Sequence, residues 1–216
     1  MKITGLSAQQ TNPNRINVFV DDKYRFSLEI SQIASLGVRV GDEYSESELE
    51  QLEQESQFGK LYARALEYCL MRPHSAKEVR DYLWRKTQTT RYRSRRTGEI
   101  KERAGVSQAL ADRVLDRLVE KRYVDDEAFT RHWVENRNLT KGSSLQKLRA
   151  ELRAKGVSPE IINQHIDDSA RNDQDELRKI IGKKQNRYPD RAKFIHYLAR
   201  QGFMYDDIMS MLDESS

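Results

Sequence analysis

The sequence predicts a mainly α-helical protein in which three tandem three-helix repeats form an elongated helical array behind a small N-terminal β-hairpin and helix region. The spacing of apolar residues changes near position 58 from every second residue to every third or fourth, which indicates a change from strands to helices. A pattern of helix starts, apolar positions and glycines then recurs along the chain, as it does in repeat proteins. A hydrophobic content of 37% in 216 residues favours several thin helical layers over one large core.

The beginning of the chain is typical of a β-hairpin followed by helices. Between residues 16 and 28, apolar and polar residues alternate on both sides of a short polar turn, which is the pattern of two paired strands. Residues 3–6 are expected to add an edge strand. Because a hairpin is marginal in water by itself, we expect it to pack on a short helix over residues 30–36. Ser45 or Ser47 would then cap an acidic helix.

The helical part of the chain contains an internal repeat. Residues 145–168 align with residues 191–214 at a constant offset of 46, which matches Gly156 with Gly202 and apolar positions with apolar positions. The copy that begins at Ser75 aligns at an offset of 69 and, after an insertion of 18 residues, at an offset of 51. The predicted domains are an N-terminal region at 1–57, a first repeat at 58–125 with an insertion at about 87–104, a second repeat at 126–172 and a third repeat at 173–216.

Each repeat shows the same order of helix signals. A capping residue starts the middle helix, a glycine takes the left-handed position after that helix, and a third helix follows. The middle helices are predicted to start at Ser75, Ser144 and Asp190, the glycines are Gly105, Gly156 and Gly202, and the third helices start at Ser107 and Ser158. Ser75 and Glu78 have the spacing of a reciprocal capping box. These local signals predict helix boundaries without reference to any known fold.

Positive charge is concentrated after residue 60. Residues 1–60 have a net charge of −4 and residues 61–216 a net charge of +8, which suggests an anionic partner for the helical part. The insertion has no apolar period, so we expect an exposed, mobile loop or a frayed helix extension. Its arginines and Tyr92 suit phosphate contacts and base stacking, although a solubilising loop or ordinary solvated helix faces explain such residues too. The candidate basic residues are Arg91, Arg93, Arg95 and Arg96 in the insertion, Lys147, Arg149 and Arg153 in the second repeat, and Lys183 and Lys184 in the third.

No catalytic, metal or cofactor site is predicted. The four histidines are scattered singly, and the one cysteine, Cys69, cannot complete a zinc site. The pairs Asp125–Asp126 and Asp167–Asp168 lie between predicted helices, so helix capping is favoured over a two-carboxylate metal site. No glycine-rich phosphate loop is present. The single cysteine indicates a cytoplasmic protein, and no segment has the pattern of a signal peptide or of a membrane span.

Several blocks of the sequence occur in a characteristic order. They are Arg15-Ile16-Asn17-Val18-Phe19-Val20-Asp21, Ser75…Glu78-Val79…Leu83, Tyr123-Val124-Asp125-Asp126…Phe129 and Lys141-Gly142…Leu148…Glu151-Leu152…Lys155-Gly156-Val157. In these blocks and in its repeats, the chain resembles the RecX family of bacterial recombinase regulators over about residues 1–212. The chain departs from the family pattern at Thr130, where a smaller residue is usual, and in the length of the arginine-rich insertion.

This resemblance implies a non-enzymatic regulator that binds the RecA–DNA filament and mainly inhibits its recombinase, ATPase and coprotease activities. Such a protein would act in the cytoplasm, in recombination, DNA repair and the SOS response. The implied partners are the RecA filament and the single-stranded DNA within it, without a cofactor. Because the apolar faces are used by stacking of the repeats, we expect a monomer. We expect the nine basic residues named above to supply much of the contact with the filament or its DNA.

Composition and periodicity by themselves leave other functions open. A free-standing DNA- or RNA-binding protein, such as a transcription regulator, would bind a specific duplex without any recombinase. A metal-dependent nuclease would use the aspartate pairs and would need a divalent cation. A structural adaptor would bind protein alone.

Overall fold

The structure is a computed structural model, and it describes residues 1–214. Ten α-helices, one 3-10 turn and five strands lie within these residues, which confirms the predicted mainly α-helical class with a small N-terminal β region. The chain divides into two compact units. Residues 1–71 and 82–121 form the first unit, and residues 72–81 together with those from 122 onward form the second. Helix α3 contributes residues to both.

The first unit contains all five strands. Its elements are β1 (Ile3–Ala8), β2 (Arg15–Val20), β3 (Lys23–Glu29), α1 (Ile30–Leu36), α2 (Glu46–Met71), the last residues of α3 (Ala76–Thr87), β4 (Thr90–Arg93), β5 (Ile100–Arg103) and α4 (Gln108–Glu120). The first three strands form an antiparallel sheet in the order β1-β2-β3, which confirms the predicted hairpin. Asp21 and Asp22 turn that hairpin with φ angles of 47° and 67°, as a tight turn between twisted strands requires.

The core of the first unit explains the alternation of the strand residues. Ile3, Val18 and Leu28 are fully buried, and they pack with Phe26 and with Leu49 of α2. The predicted short helix is present as α1. The acidic helix begins as expected, because the Ser45 N–H donates to Glu48 Oε2 (2.7 Å) and the Glu48 N–H donates to Ser45 Oγ (3.3 Å). That helix does not end near residue 58 but continues as one element through Met71.

The arginine-rich insertion is neither a loop nor a helix extension, so this prediction was wrong. Residues 90–93 pair antiparallel with residues 100–103 as the hairpin β4–β5. Arg91 Nε contacts Glu102 Oε1 across the strands (2.7 Å), and Gly98, with a φ of +70°, helps to form the turn. Every residue of both strands is exposed, as expected. Because neither face of the hairpin is buried, its sequence carries no apolar alternation.

The second unit contains two complete three-helix groups. Its elements are the first residues of α3, α5 (Asp126–Asn136), α6 (Leu145–Ala154), α7 (Pro159–Asp167), α8 (Asp173–Lys184), the 3-10 turn Gln185–Arg187, α9 (Arg191–Arg200) and α10 (Tyr205–Glu214). The cores of the two groups are separate clusters: α5, α6 and α7 share one, and α8, α9 and α10 share the other. The aligned residues Leu152 and Leu198 are both fully buried, as are Ile162 and Ile208.

The helix caps agree with most of the sequence signals. The side chains of Ser107, Ser144, Ser158, Asp125 and Asp190 each accept a hydrogen bond from a backbone N–H in the first turn of the following helix. Asp167 and Asp168 differ, because they lie at the end of α7 rather than before a helix.

The glycines of the repeats have two different roles. Gly156 and Gly202 have φ angles of +80° and +91°, which confirms the predicted left-handed positions after α6 and α9. Gly105 follows strand β5 and has no left-handed φ. A Cβ at Gly105 would lie 2.0 Å from the Thr87 carbonyl oxygen, so close approach of two backbone segments requires glycine there.

Thr130 fits where the resemblance led us to expect a smaller residue. Its side chain is fully buried, and its hydroxyl donates to the Asp126 carbonyl oxygen (2.6 Å) one turn earlier in α5. A buried hydroxyl with a hydrogen-bond partner avoids the cost of an unsatisfied polar group.

Candidate nucleic-acid interface

A groove lies on the first unit among α2, the end of α3, and the base of the β4–β5 hairpin. Its volume is about 540 Å³. We call it the basic groove, because its lining includes five cationic side chains and no acidic one: Lys60, Arg64, Arg85, Lys86 and Arg103. All five are exposed, so they are accessible to a ligand in solvent.

The positive charges of the basic groove act on one another. Although Lys60 is exposed as a residue, the groove walls partly desolvate its ammonium group; this desolvation and, further, the charges of Arg15, Arg64 and Arg103 lower its pKa. Like charges at short range disfavour one another's ionised forms. The groove therefore carries uncompensated positive potential, which an anion would stabilise.

Aromatic rings accompany these cations. Tyr82 stacks on Tyr68, with ring centroids 4.4 Å apart and an interplanar angle of 6°. The Lys86 ammonium lies 4.7 Å from the Tyr82 ring centroid, a cation–π distance. Trp84 and Tyr92 are 55% and 50% exposed. Exposed rings beside cations are the side chains on which unpaired bases stack.

The hairpin presents different residues on its two faces. Thr90 pairs with Arg103 and Tyr92 pairs with Lys101. Because directly opposed residues share a face and side chains alternate along a strand, Tyr92 and Lys101 continue the face that Thr90 and Arg103 present to the groove. The opposite face carries Arg91.

The four arginines predicted to make contact in the insertion are therefore not equivalent. Arg91 is paired with Glu102, and Arg93 Nε donates to the Gly98 carbonyl oxygen (2.8 Å). Arg95 and Arg96 lie in the exposed turn and make no ion pair within residues 1–214. None of the four lines the basic groove. Their contact with a partner stays a prediction.

The five predicted basic residues of the second unit are also divided. Lys147 Nζ donates to Gln201 Oε1 (2.6 Å), Arg149 is paired with Asp167 (3.1 Å), and Lys183 donates to the Thr140 carbonyl oxygen. Arg153 and Lys184 form no ion pair in the described part of the chain. The structure thus uses three of these side chains in internal contacts.

Within the second unit, the same set of hydrogen bonds occurs twice between successive repeats. We call this set of hydrogen bonds the repeat junction. At the first junction, Ser75 Oγ accepts from the Glu78 N–H (3.1 Å) and donates to the Lys155 carbonyl oxygen (2.8 Å). The Ala76 N–H donates to Asp126 Oδ1 (2.8 Å). The carboxylate of Glu78 does not complete the predicted capping box but forms an ion pair with Lys155.

The second repeat junction reproduces the first. Ser144 Oγ accepts from the Lys147 N–H (3.1 Å) and donates to the Gln201 carbonyl oxygen (2.5 Å). The Leu145 N–H donates to Asp173 Oδ1 (2.8 Å). The contact between Lys147 and Gln201 takes the place of the Glu78–Lys155 ion pair. Lys147 therefore holds repeats together.

Glu78 carries the strongest electrostatic perturbation of the junctions. Burial of its carboxylate opposes ionisation, but hydrogen bonds from Arg72 and Lys155 outweigh that effect and lower its pKa to about 2. The carboxylate is therefore ionised throughout the neutral range. Its role is to hold the two cations, because both lie within hydrogen-bond distance of it.

A second buried carboxylate fixes the turn that precedes Ser144. Glu176, which is 1% exposed, accepts hydrogen bonds from the Ser143 N–H (2.8 Å), Arg171 (2.7 Å) and Lys179 (2.8 Å). Burial opposes its ionisation, but these donors lower its pKa. All of its partners are structural, so nothing at this position indicates acid–base chemistry.

The aspartate pairs and histidines do not come together as a metal centre. Within residues 1–214, no three side chains of the ligating types are placed to share an ion. Asp125 caps α5, and Asp126 accepts from the Ala76 N–H. Helices long and apolar enough to cross a bilayer are likewise absent from these residues.

The residues of the basic groove were missed by sequence analysis, apart from the positive charge that they share. Lys60 and Arg64 are one turn apart on α2, and neither was among the basic residues predicted to make contact. Arg85 and Lys86 fall in the last turn of α3, where basic residues are common because they complement the helix dipole. The available signal was the (i, i+4) spacing of two cations without an acidic neighbour at the same spacing.

Comparison with known proteins finds similarity to one family of regulatory proteins. Residues 1–44 match the model of the regulatory protein RecX N-terminal domain, and residues 125–166 match that of the RecX second three-helix domain. Regulatory protein RecX of Bacillus licheniformis is 28% identical over 220 residues, covering 99% of this chain and 77% of the relative. That of Bacillus subtilis is 27% identical over 221 residues, covering 98% and 76%.

Solved structures share the fold. A crystal structure of regulatory protein RecX superposes with a TM-score of 0.73 at 20% identity and covers 98% of both chains. The crystal structure of RecX from Lactobacillus salivarius gives a TM-score of 0.52 at 19% identity, covering 73% of this chain and 95% of the other. RecX domain models match two separate regions, and RecX relatives are similar over almost the whole length, so these similarities support the RecX family of regulatory proteins for this chain.

Proposed function

We propose that this protein binds the RecA–DNA filament and modulates it, mainly by inhibiting its recombinase, ATPase and coprotease activities. It acts in the cytoplasm as a monomer, without a cofactor and without catalysing a reaction. The observation that carries the proposal is the similarity to regulatory proteins named RecX over 98–99% of the chain. The absence of a metal cluster from residues 1–214 gives the nuclease alternative no support.

The charges of the chain support contact with a DNA-containing partner. Arg95 and Arg96 extend from an exposed turn, and Arg153 is exposed on α6; none of them forms an ion pair within the described residues. Cations that are free of internal partners can bind phosphates without first losing an ion pair. They also steer association with a polyanion over distances near the Debye length.

The test is RecA ATP hydrolysis on single-stranded DNA, titrated with the full-length protein. We expect inhibition well below one molecule per RecA subunit, because one regulator that blocks filament growth affects many subunits. No inhibition at any ratio would contradict the proposal. If the protein instead binds a specific duplex tightly in the absence of RecA, the free-standing DNA-binding alternative is favoured.

A charge-reversal pair tests the hairpin arginines within that assay. Arg95→Glu with Arg96→Glu is compared with Lys23→Glu and Arg39→Glu, which alter the net charge equally at exposed positions of the same unit. We expect weaker inhibition only for the hairpin pair. Equal inhibition by both variants and by the wild type would remove these arginines from the interface.

A further inference from the structure

The basic groove brings together five cations that have no acidic partner among the described residues. Elsewhere in the unit, Arg25 is paired with Glu46 and Glu53, and Arg113 with Glu55. The five groove cations, in contrast, form no ion pair with any residue that the structure describes. They come from three separate parts of the chain, on α2, α3 and β5. Chance solvation of one helix face does not bring such a set together.

Placing these positive charges close together is electrostatically unfavourable in the protein without a ligand. Burial, and after it the charges of Arg15, Arg64 and Arg103, lower the pKa of Lys60. An anion in the groove would offset the positive charge around Lys60 and stabilise its ammonium group. The five cations of the groove are exposed to solvent, so a linear polyanion can contact several of them at once.

The side chains next to the groove indicate which class of polyanion binds there. Tyr92 and Lys101 continue the groove-facing side of the hairpin, and Tyr92 is 50% exposed. An aromatic ring next to phosphate-binding cations can stack on an unpaired base. A chain of acidic residues such as poly-glutamate has no ring with which to make this interaction. The bases of a duplex are stacked on one another inside the helix, so they are not available to stack on an aromatic side chain.

We propose that the basic groove binds the sugar–phosphate backbone of single-stranded nucleic acid, with Lys60, Arg64 and Arg103 on the phosphates and Tyr92 beside the bases. This deepens the proposed function, on which it rests for the filament that presents the strand. The interaction itself requires only the strand and this protein.

The experiment measures binding of the full-length protein to fluorescent oligo(dT) by anisotropy across a range of salt concentrations, without RecA. Lys60→Gln with Arg64→Gln removes two cations. For single strands, the slope of log K against log salt changes by about 0.7 for each phosphate contact. The slope should therefore weaken by about 1.4, and affinity at 0.1 M salt should fall by about 25-fold.

Charge reversal and a matched control make the test specific. Lys60→Glu with Arg64→Glu should lose more affinity than the glutamine pair, whereas Lys23→Glu with Arg39→Glu makes the same change in net charge outside the groove. Circular dichroism establishes that each variant is folded. Equal loss of affinity by the groove and control variants would overturn the proposal, as would poly-glutamate competing as well as unlabelled oligo(dT).

The ATPase assay separates this proposal from the proposed function. If the wild type inhibits RecA but the groove variants bind oligo(dT) like the control, the groove proposal fails and the filament function stands. If the groove variants lose oligo(dT) binding while the wild type never inhibits RecA, the groove proposal stands and the filament function fails.

Discussion

Replacement of Ser144 by alanine tests whether the repeat junction stabilises the second unit. Ser144 is fully buried, and its hydroxyl both caps α6 and donates to the Gln201 carbonyl oxygen at 2.5 Å. Loss of a serine cap costs about 1 kcal/mol. Leaving the partly buried Gln201 carbonyl without its donor costs up to about 1–3 kcal/mol more. We therefore expect Ser144→Ala to lower the free energy of unfolding by about 2–4 kcal/mol.

Ser158→Ala is the matched control, because Ser158 caps α7 in the same repeat, accepting from the Ile161 N–H at 3.4 Å, and takes no part in a repeat junction. It should cost about 1 kcal/mol. Urea unfolding would be followed by Trp133 fluorescence in a Trp84→Phe background, which leaves one tryptophan of the two. With a slope of about 1–3 kcal/mol per molar urea, the two midpoints should differ clearly. If Ser144→Ala costs no more than Ser158→Ala, the inter-repeat bond contributes nothing and the reasoning is wrong.

Three further predictions use other parts of the chain. Glu78→Gln should lower the free energy of unfolding by about 2 kcal/mol at neutral pH. Because the pKa of Glu78 in the folded protein is lowered to about 2, the wild type should lose this advantage as the pH falls from about 4.5 toward 2. The urea midpoints of the wild type and the variant should therefore converge in acid. Gly156→Ala should destabilise the protein by about 1–3 kcal/mol, since φ is +80° and the new Cβ would lie 2.8 Å from the Lys77 Cβ. Gly182 lies in open space on α8, so Gly182→Ala should stabilise the protein by up to about 1 kcal/mol. Thermal melting of both variants measures this difference. Burial raises the pKa of the Cys69 thiol to about 11, so Cys69 should react with a thiol reagent at pH 8 only in urea, and rapid labelling of the folded protein would contradict its burial.

Elements that depend on neighbouring residues were predictable from sequence. The β2–β3 hairpin follows from alternation around Asp21 and Asp22, and the starts of α4 and α7 follow from Ser107 and Ser158. The alignment at an offset of 46 also identified buried positions correctly, because equivalent helices bury equivalent faces. These signals are local, so one sequence is enough to show them.

What the sequence could not show depends on contacts between distant residues. The β4–β5 hairpin has no buried face, so hydrophobic alternation does not reveal its strands. Lys147 and Arg149 looked like free cations, since Gln201 and Asp167 lie far from them along the chain. The basic groove combines side chains between residues 57 and 106, and no spacing rule relates them.

The repeat junction also bears on how far such a sequence can diverge. Two of its hydrogen bonds end on backbone groups, the Lys155 and Gln201 carbonyl oxygens, which every amino acid supplies. Mutation can therefore exchange the side chains on the accepting helix without removing the bond, as the replacement of one ion pair by the Lys147–Gln201 contact illustrates. The junction therefore tolerates changes of side chain on the accepting helix, provided that the serine hydroxyl that donates to the carbonyl oxygen is kept.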